Sequence, residues 1–185
     1  MKLYTIIAGL NGTGKSSFTG SLKYQRSDLG IIVDADRIAV EEFGGDTYEA
    51  GKAAVERLEN AIRDGVNFTQ ETTLSGSYPR KLAKAAREQG YTVRMFYIGV
   101  DTLEETKRRI RNRVQMGGHD IREAYVERRF DRRFSSLKKI LPYCDTAIFF
   151  DNWNGFREVG EYRNGELIAY GGKIPKWFLA LKEHI

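Results

Sequence analysis

Apolar residues fall along the chain in two alternating rhythms. Short runs rich in β-branched and aromatic residues predict strands over residues 2–8, 30–34, 66–71, 91–98 and 146–151. Between them, apolar positions recur at helical spacing and predict helices over 15–24, 47–64, 78–89, 102–115 and 121–139. In the second of these, Ala50, Ala53, Ala54, Leu58, Ala61 and Ile62 mark the inward stripe, and Gly65 stands where a helix stops. Gly117-Gly118 separates the last two helices. A hairpin follows, 156–163 with 166–170, turned at Asn164-Gly165, and Pro175 opens a short C-terminal helix.

Strands alternating with helices imply βαβ units and a mostly parallel sheet covered on both faces. No linker, repeat or low-complexity tract divides the 185 residues, so one domain over 1–185 is expected. In such folds ligands bind at the carboxyl ends of strands, here just after residues 8, 34, 71, 98 and 151.

The first of these ends carries Gly9-Leu10-Asn11-Gly12-Thr13-Gly14-Lys15-Ser16, a G-x-x-x-x-G-K-S pattern, with Ser17 behind it. Glycines let a loop wrap around phosphates with its N–H groups inward, and the following helix aims its positive end there. Lys15 is expected on the β- and γ-phosphates and Ser16 on Mg²⁺. This makes the fold class a P-loop NTPase three-layer α/β sandwich, and ATP and Mg²⁺ the expected cofactors.

The second end reads Val33-Asp34-Ala35-Asp36-Arg37. A kinase needs a carboxylate to orient and deprotonate an acceptor hydroxyl, and Asp36 is the candidate base. Asp34 either touches the acceptor or the metal shell, or caps the next turn or helix. The third end, Gln70-Glu71-Thr72-Thr73-Leu74-Ser75, offers Glu71, Thr72 and Thr73 to an acceptor, with Ser75 or Ser77 as alternative helix caps. The last end, Phe150-Asp151-Asn152, places Asn152 either against the base of the nucleotide or in an Asx turn. The chain shows neither the strand-ending Asp-Glu pair of motor ATPases nor the Asn-Lys-x-Asp guanine motif, which favours a small-molecule kinase.

Charge changes the picture only locally. The formal net charge is +5, but residues 107–133 alone hold ten basic and four acidic side chains, against 20 and 21 elsewhere. The protein is a nearly neutral domain with one arginine-dense segment. Two helices flanking Met116-Gly117-Gly118-His119 suit a lid over about 102–139 that closes arginines on a triphosphate. Arg113 and Arg109 share a helix face and are the first candidates, then Arg128 or Arg129; several others belong to a solvated, ion-paired surface. His119 is read as a cap, a phosphate contact or a surface residue. The single cysteine, Cys144, excludes an internal disulfide and suits the cytoplasm, and neither a signal peptide nor a membrane span is expected. A polynucleotide end kinase, with the arginines tracking a backbone, and a nucleotide-binding regulatory or toxin–antitoxin protein are the rival readings.

The pattern as a whole resembles the zeta-toxin-like P-loop kinases. The residues that carry it are IAGLNGTGKSS at 7–17, VDADRIA at 33–39, QETTLSG at 70–76, RNRVQMGGHDI at 111–121, RRF at 128–130 with SSL at 135–137, and FFDNW at 149–153. The resemblance implies an ATP-dependent phosphotransferase whose family phosphorylates UDP-N-acetylglucosamine on a sugar hydroxyl. It implies Lys15 as the phosphate-binding lysine, Asp36 as the base, Glu71 as an acceptor- or metal-site carboxylate and Arg113 as a charge stabiliser. It also implies an antitoxin protein as partner. Membrane is not expected as a partner, and nucleic acid is disfavoured.

Overall fold

The computed structural model describes residues 1–118 and 120–185; His119 lies outside the described residues. The chain runs β1 (Lys2–Gly9), α1 (Lys15–Gln25), β2 (Ile31–Asp34), α2 (Ala35–Glu42), α3 (Thr47–Asp64), β3 (Phe68–Thr72), α4 (Tyr78–Glu88), β4 (Tyr91–Gly99), α5 (Leu103–Gln115), α6 (Glu123–Ile140), a 3₁₀ turn (Leu141–Tyr143), β5 (Thr146–Asp151), β6 (Arg157–Arg163), β7 (Glu166–Ala169) and α7 (Lys176–His184).

Among the described residues one seven-stranded sheet forms, in the order β2-β3-β1-β4-β5-β6-β7. The first five strands in that order pair in parallel, and the hairpin β6–β7 adds two antiparallel strands at one edge. The central strand β1 is buried over almost its whole length, which is why it reads as a continuous apolar run.

The sheet's two faces bury different helices. Tyr4, Ile6, Phe68, Met95 and Phe149 pack under α3, α4, α6 and α7. Ile7, Phe96, Ile98 and Phe150 on the opposite face pack against Phe18 and Leu22 of α1. Helices on both faces of a mostly parallel sheet make the expected three-layer sandwich. Among the described residues no helix is long and apolar enough to cross a membrane.

Two elements were not legible in the apolar rhythm. α2 follows β2 with no connecting residue, because Asp34 ends the strand and caps the helix at once: its Oδ1 accepts from Asp36 N at 3.0 Å and Arg37 N at 3.4 Å. The 3₁₀ turn arises where Pro142 stops α6.

Candidate functional site

The loop after β1 carries its glycines in conformations that other residues avoid. Gly12 and Gly14 have φ of 76° and 95°. A cavity of about 440 Å³ opens above the loop, at the carboxyl ends of β1, β2 and β3. Asn11, Gly12, Gly14, Lys15, Ser16 and Ser17 line one side of it, whereas Gly9, Leu10 and Thr13 do not. Leu10 and Thr13 instead shape the loop. The Leu10 carbonyl accepts from Thr13 Oγ1 at 2.9 Å and from Lys15 Nζ at 3.1 Å.

Burial lowers the Lys15 pKa, opposed by the nearby carboxylates of Glu71, Asp36 and Asp34. Those carboxylates occupy the second side of the cavity. Asp34 and Glu71 are register partners at the ends of β2 and β3. Burial raises both pKa values; the Asp36 charge adds to the effect on Asp34, and the Asp34 charge adds to it on Glu71. Glu71 Oε2 accepts from Ser16 Oγ at 3.1 Å. Asp36, exposed in the first turn of α2, lines the cavity with Thr72 and Thr73. Asp34 thus caps α2 and also lines the cavity.

The third side comes from α5 and α6. Of the arginine-dense segment, Arg109, Arg113 and Arg129 line the cavity. Arg129 Nη1 donates to Asn11 Oδ1 at 2.6 Å, so α6 reaches across to the loop itself. Four of the other basic residues are held elsewhere. Arg128 stacks on Tyr125, with 4.9 Å to the ring centroid, and Arg133 on Phe130 at 3.6 Å. Arg108 donates to both oxygens of Glu105 at 2.8 Å. Lys107 ties the two lid helices together through Glu123 and Glu127, each at 2.7 Å.

Asn152 does not line the cavity. Its side-chain amide donates to the Thr13 carbonyl at 2.8 Å.

A wall of the cavity escaped the sequence reading. Gly51, Ala54, Val55 and Leu58 of α3, with Tyr78 and Pro79 at the start of α4, also line it. The signal was present: positions 51, 54, 55 and 58 fall on one helix face, and small residues there leave room.

The donor set fits a nucleotide and its metal. An amide-lined loop with a lysine is cationic and anion-shaped, while the Ser16 hydroxyl beside a carboxylate oxygen is the hard ligand chemistry that Mg²⁺ takes. Among the described residues no group of three or more His, Cys, Asp or Glu gathers as a metal cluster.

Glu105 is buried on α5 and holds Arg108 and Arg109. Arg108 and Arg109 hold its carboxyl down to about 2. A carboxyl held below its unfolded value adds stability above that value and loses it as pH falls toward 2. The thermal midpoint is expected to drop with pH below about 4.5, and Glu105→Gln to flatten that drop, checked by thermal melts across pH.

The loop, the sheet order and the helices on both faces define a P-loop protein of the kinase-type α/β sandwich. No family model matches the chain. It belongs to the family of a protein of Haemophilus influenzae (strain ATCC 51907 / DSM 11121 / KW20 / Rd) described as uncharacterized. The two are 33% identical over 126 residues, 66% of this chain and 88% of the relative.

Solved structures share the fold. One is from the PezAT chromosomal toxin–antitoxin system of Streptococcus pneumoniae, with a TM-score of 0.64 and 18% identity over 99% of this chain and 85% of that one. Another is the AvrRxo1-ORF1:-ORF2 structure with ATP, with a TM-score of 0.67 and 17% identity over 91% of this chain; the match spans 60% of that longer chain. These likenesses bear out, at the level of fold, the resemblance to the zeta-toxin-like P-loop kinases.

Proposed function

We propose that this protein is an ATP- and Mg²⁺-dependent phosphotransferase acting on a hydroxyl of a small molecule. One observation carries the reading: a phosphate cradle, a lysine, lid arginines and an exposed aspartate converge on one cavity. The Gly9–Ser17 loop and Lys15 hold the β- and γ-phosphates, and Ser16 joins the metal. The bound Mg²⁺ supplies charge neutralisation on the phosphate oxygens. Asp36 orients the acceptor hydroxyl and takes its proton as the new O–P bond forms and the bond from the γ-phosphorus to the bridging oxygen breaks, releasing ADP. Arg113, Arg129 and Arg109 offset the charge that develops on the transferring group. Asp34, Glu71, Thr72 and Thr73 face the acceptor.

A nucleotide sugar such as UDP-N-acetylglucosamine is the acceptor we favour. Three features support it. The sequence resembles the zeta-toxin-like family in six separate segments. The apolar wall from α3 suits the less polar face of a sugar ring. A second cavity of about 310 Å³ shares Pro79 with the first and is lined by Arg80, Arg132 and Lys139 with no carboxylate, which suits a diphosphate.

A toxin role with an antitoxin partner is supported by the fold shared with the PezAT system. The buried free thiol of Cys144 accords with a reducing compartment such as the cytoplasm.

The decisive experiment incubates the protein with ATP·Mg²⁺ and a metabolite mixture that includes nucleotide sugars, followed by mass spectrometry. A product heavier by one phosphoryl group, formed only with ATP, is expected. ATP binding with no transfer across the panel would instead favour a regulatory protein. Tight, salt-dependent RNA binding would favour a polynucleotide acceptor.

A further inference from the structure

We propose that Asn152 is a positioning residue for phosphate binding: it fixes the orientation of one P-loop peptide and joins that loop to the lid. The inference rests on the phosphate-cradle reading above and adds to it a residue outside the cavity.

A cradle of amides works only if each N–H points inward. Peptide units are planar and trans, so the carbonyl of each such unit points the opposite way and needs its own partner outside. Among the described residues there is no cis peptide bond. The carbonyl of Thr13 belongs to the same peptide unit as the N–H of Gly14. Asn152 Nδ2 grips that carbonyl at 2.8 Å, which turns the Gly14 N–H to the other side, toward the phosphates. With the peptide flipped, a carbonyl oxygen would face the phosphates and repel them.

The fit between the two residues is close. A Cβ on Gly14 would stand 2.7 Å from Asn152 Nδ2, so a side chain at position 14 would displace the amide.

The brace is two-sided. The Asn152 carbonyl accepts from Arg109 Nη2, and Arg109 Nε donates to the buried Glu105 at 2.6 Å. The residue is itself anchored from behind. Its neighbour Asp151, buried at the end of β5, accepts from Trp177 Nε1 at 3.0 Å, and the Trp177 N–H donates to Asp101 at 2.9 Å. The Trp177 ring lies flat where Gly99 has no side chain; a Cβ there would come within 2.3 Å of it. A hydrogen-bonded line thus runs from α7 through the end of β5 to the P-loop and to α5.

The test uses inorganic pyrophosphate as a phosphate-only probe, by calorimetry, on the wild type, Asn152→Ala and the near-isosteric Asn152→Asp. One hydrogen bond is worth about tenfold in binding. Asn152→Ala is expected to weaken pyrophosphate binding by about that factor while the midpoint of the ligand-free protein moves little. Asn152→Asp is expected to bind more weakly than Asn152→Ala at neutral pH, because a carboxylate cannot donate and repels the anion. It should gain on Asn152→Ala as pH falls toward 4, where the protonated carboxyl regains a donor. A purely structural residue gives no such crossover.

Pyrophosphate affinity unchanged in both variants would overturn the brace and leave the P-loop reading intact. So would an equal loss in both variants at every pH. Absence of pyrophosphate binding by the wild type would overturn both. If Asn152→Ala fails to fold, the pH profile of Asn152→Asp against the wild type decides alone.

Discussion

Lys15→Ala is expected to lower phosphoryl transfer by at least ~10²-fold, on the scale of an electrostatic group aimed at developing charge. The side chain does two things that alanine cannot. In the free protein its Nζ closes the loop through the Leu10 carbonyl at 3.1 Å. It also stands among the carboxylates of Glu71, Asp36 and Asp34, whose charges favour its protonated form. Burial depresses its pKa, so the charged form is costly without an anion beside it. A triphosphate reverses that cost, and binding energy and lysine charge are then coupled. The loss should therefore appear in ATP affinity as well as in transfer. Calorimetry with ATP and a transfer assay on the acceptor identified by mass spectrometry read the two separately. Transfer within a few-fold of the wild type would remove Lys15 from the phosphate-binding role.

Asp36→Asn should lower transfer by a similar ~10²-fold or more while leaving ATP affinity nearly unchanged. The two effects separate because of how α2 is capped. The helix start is held by Asp34 Oδ1, which takes the N–H groups of residues 36 and 37. The Asp36 side chain makes no part of that cap and projects into the cavity. Asparagine keeps its size but removes the negative charge and the capacity to accept a proton. Asp34→Ala is the useful contrast, because it removes the cap and costs about 1 kcal/mol of stability. Near-normal turnover by Asp36→Asn with a known acceptor would exclude it as the base.

Residues near in sequence were read well. The G-x-x-x-x-G-K-S loop needs only local chain geometry, and it lies where a strand end and a helix start coincide. The strand at 146–151 and the helix over 47–64 match their apolar rhythm residue for residue, since each buries one continuous face or stripe. The lid arginines were only partly legible. Helical spacing places Arg109 and Arg113 on one face, and the cavity uses both. Nothing local separates Arg128 from Arg129, and only the packing of α6 sends Arg129 to Asn11 while Arg128 turns to Tyr125.

The sequence by itself determined the layered α/β architecture and the phosphate loop, with the carboxylates at the strand ends. Those features depend on short-range periodicity and on glycines adjacent in the chain. Only the tertiary structure decided which side chains meet across long separations. It joined Asn152 to Thr13, set the α3 wall along the cavity and chose three of the nine arginines in 107–133. Such contacts are fixed by how the helices close over the sheet, and a linear pattern carries no record of that closure.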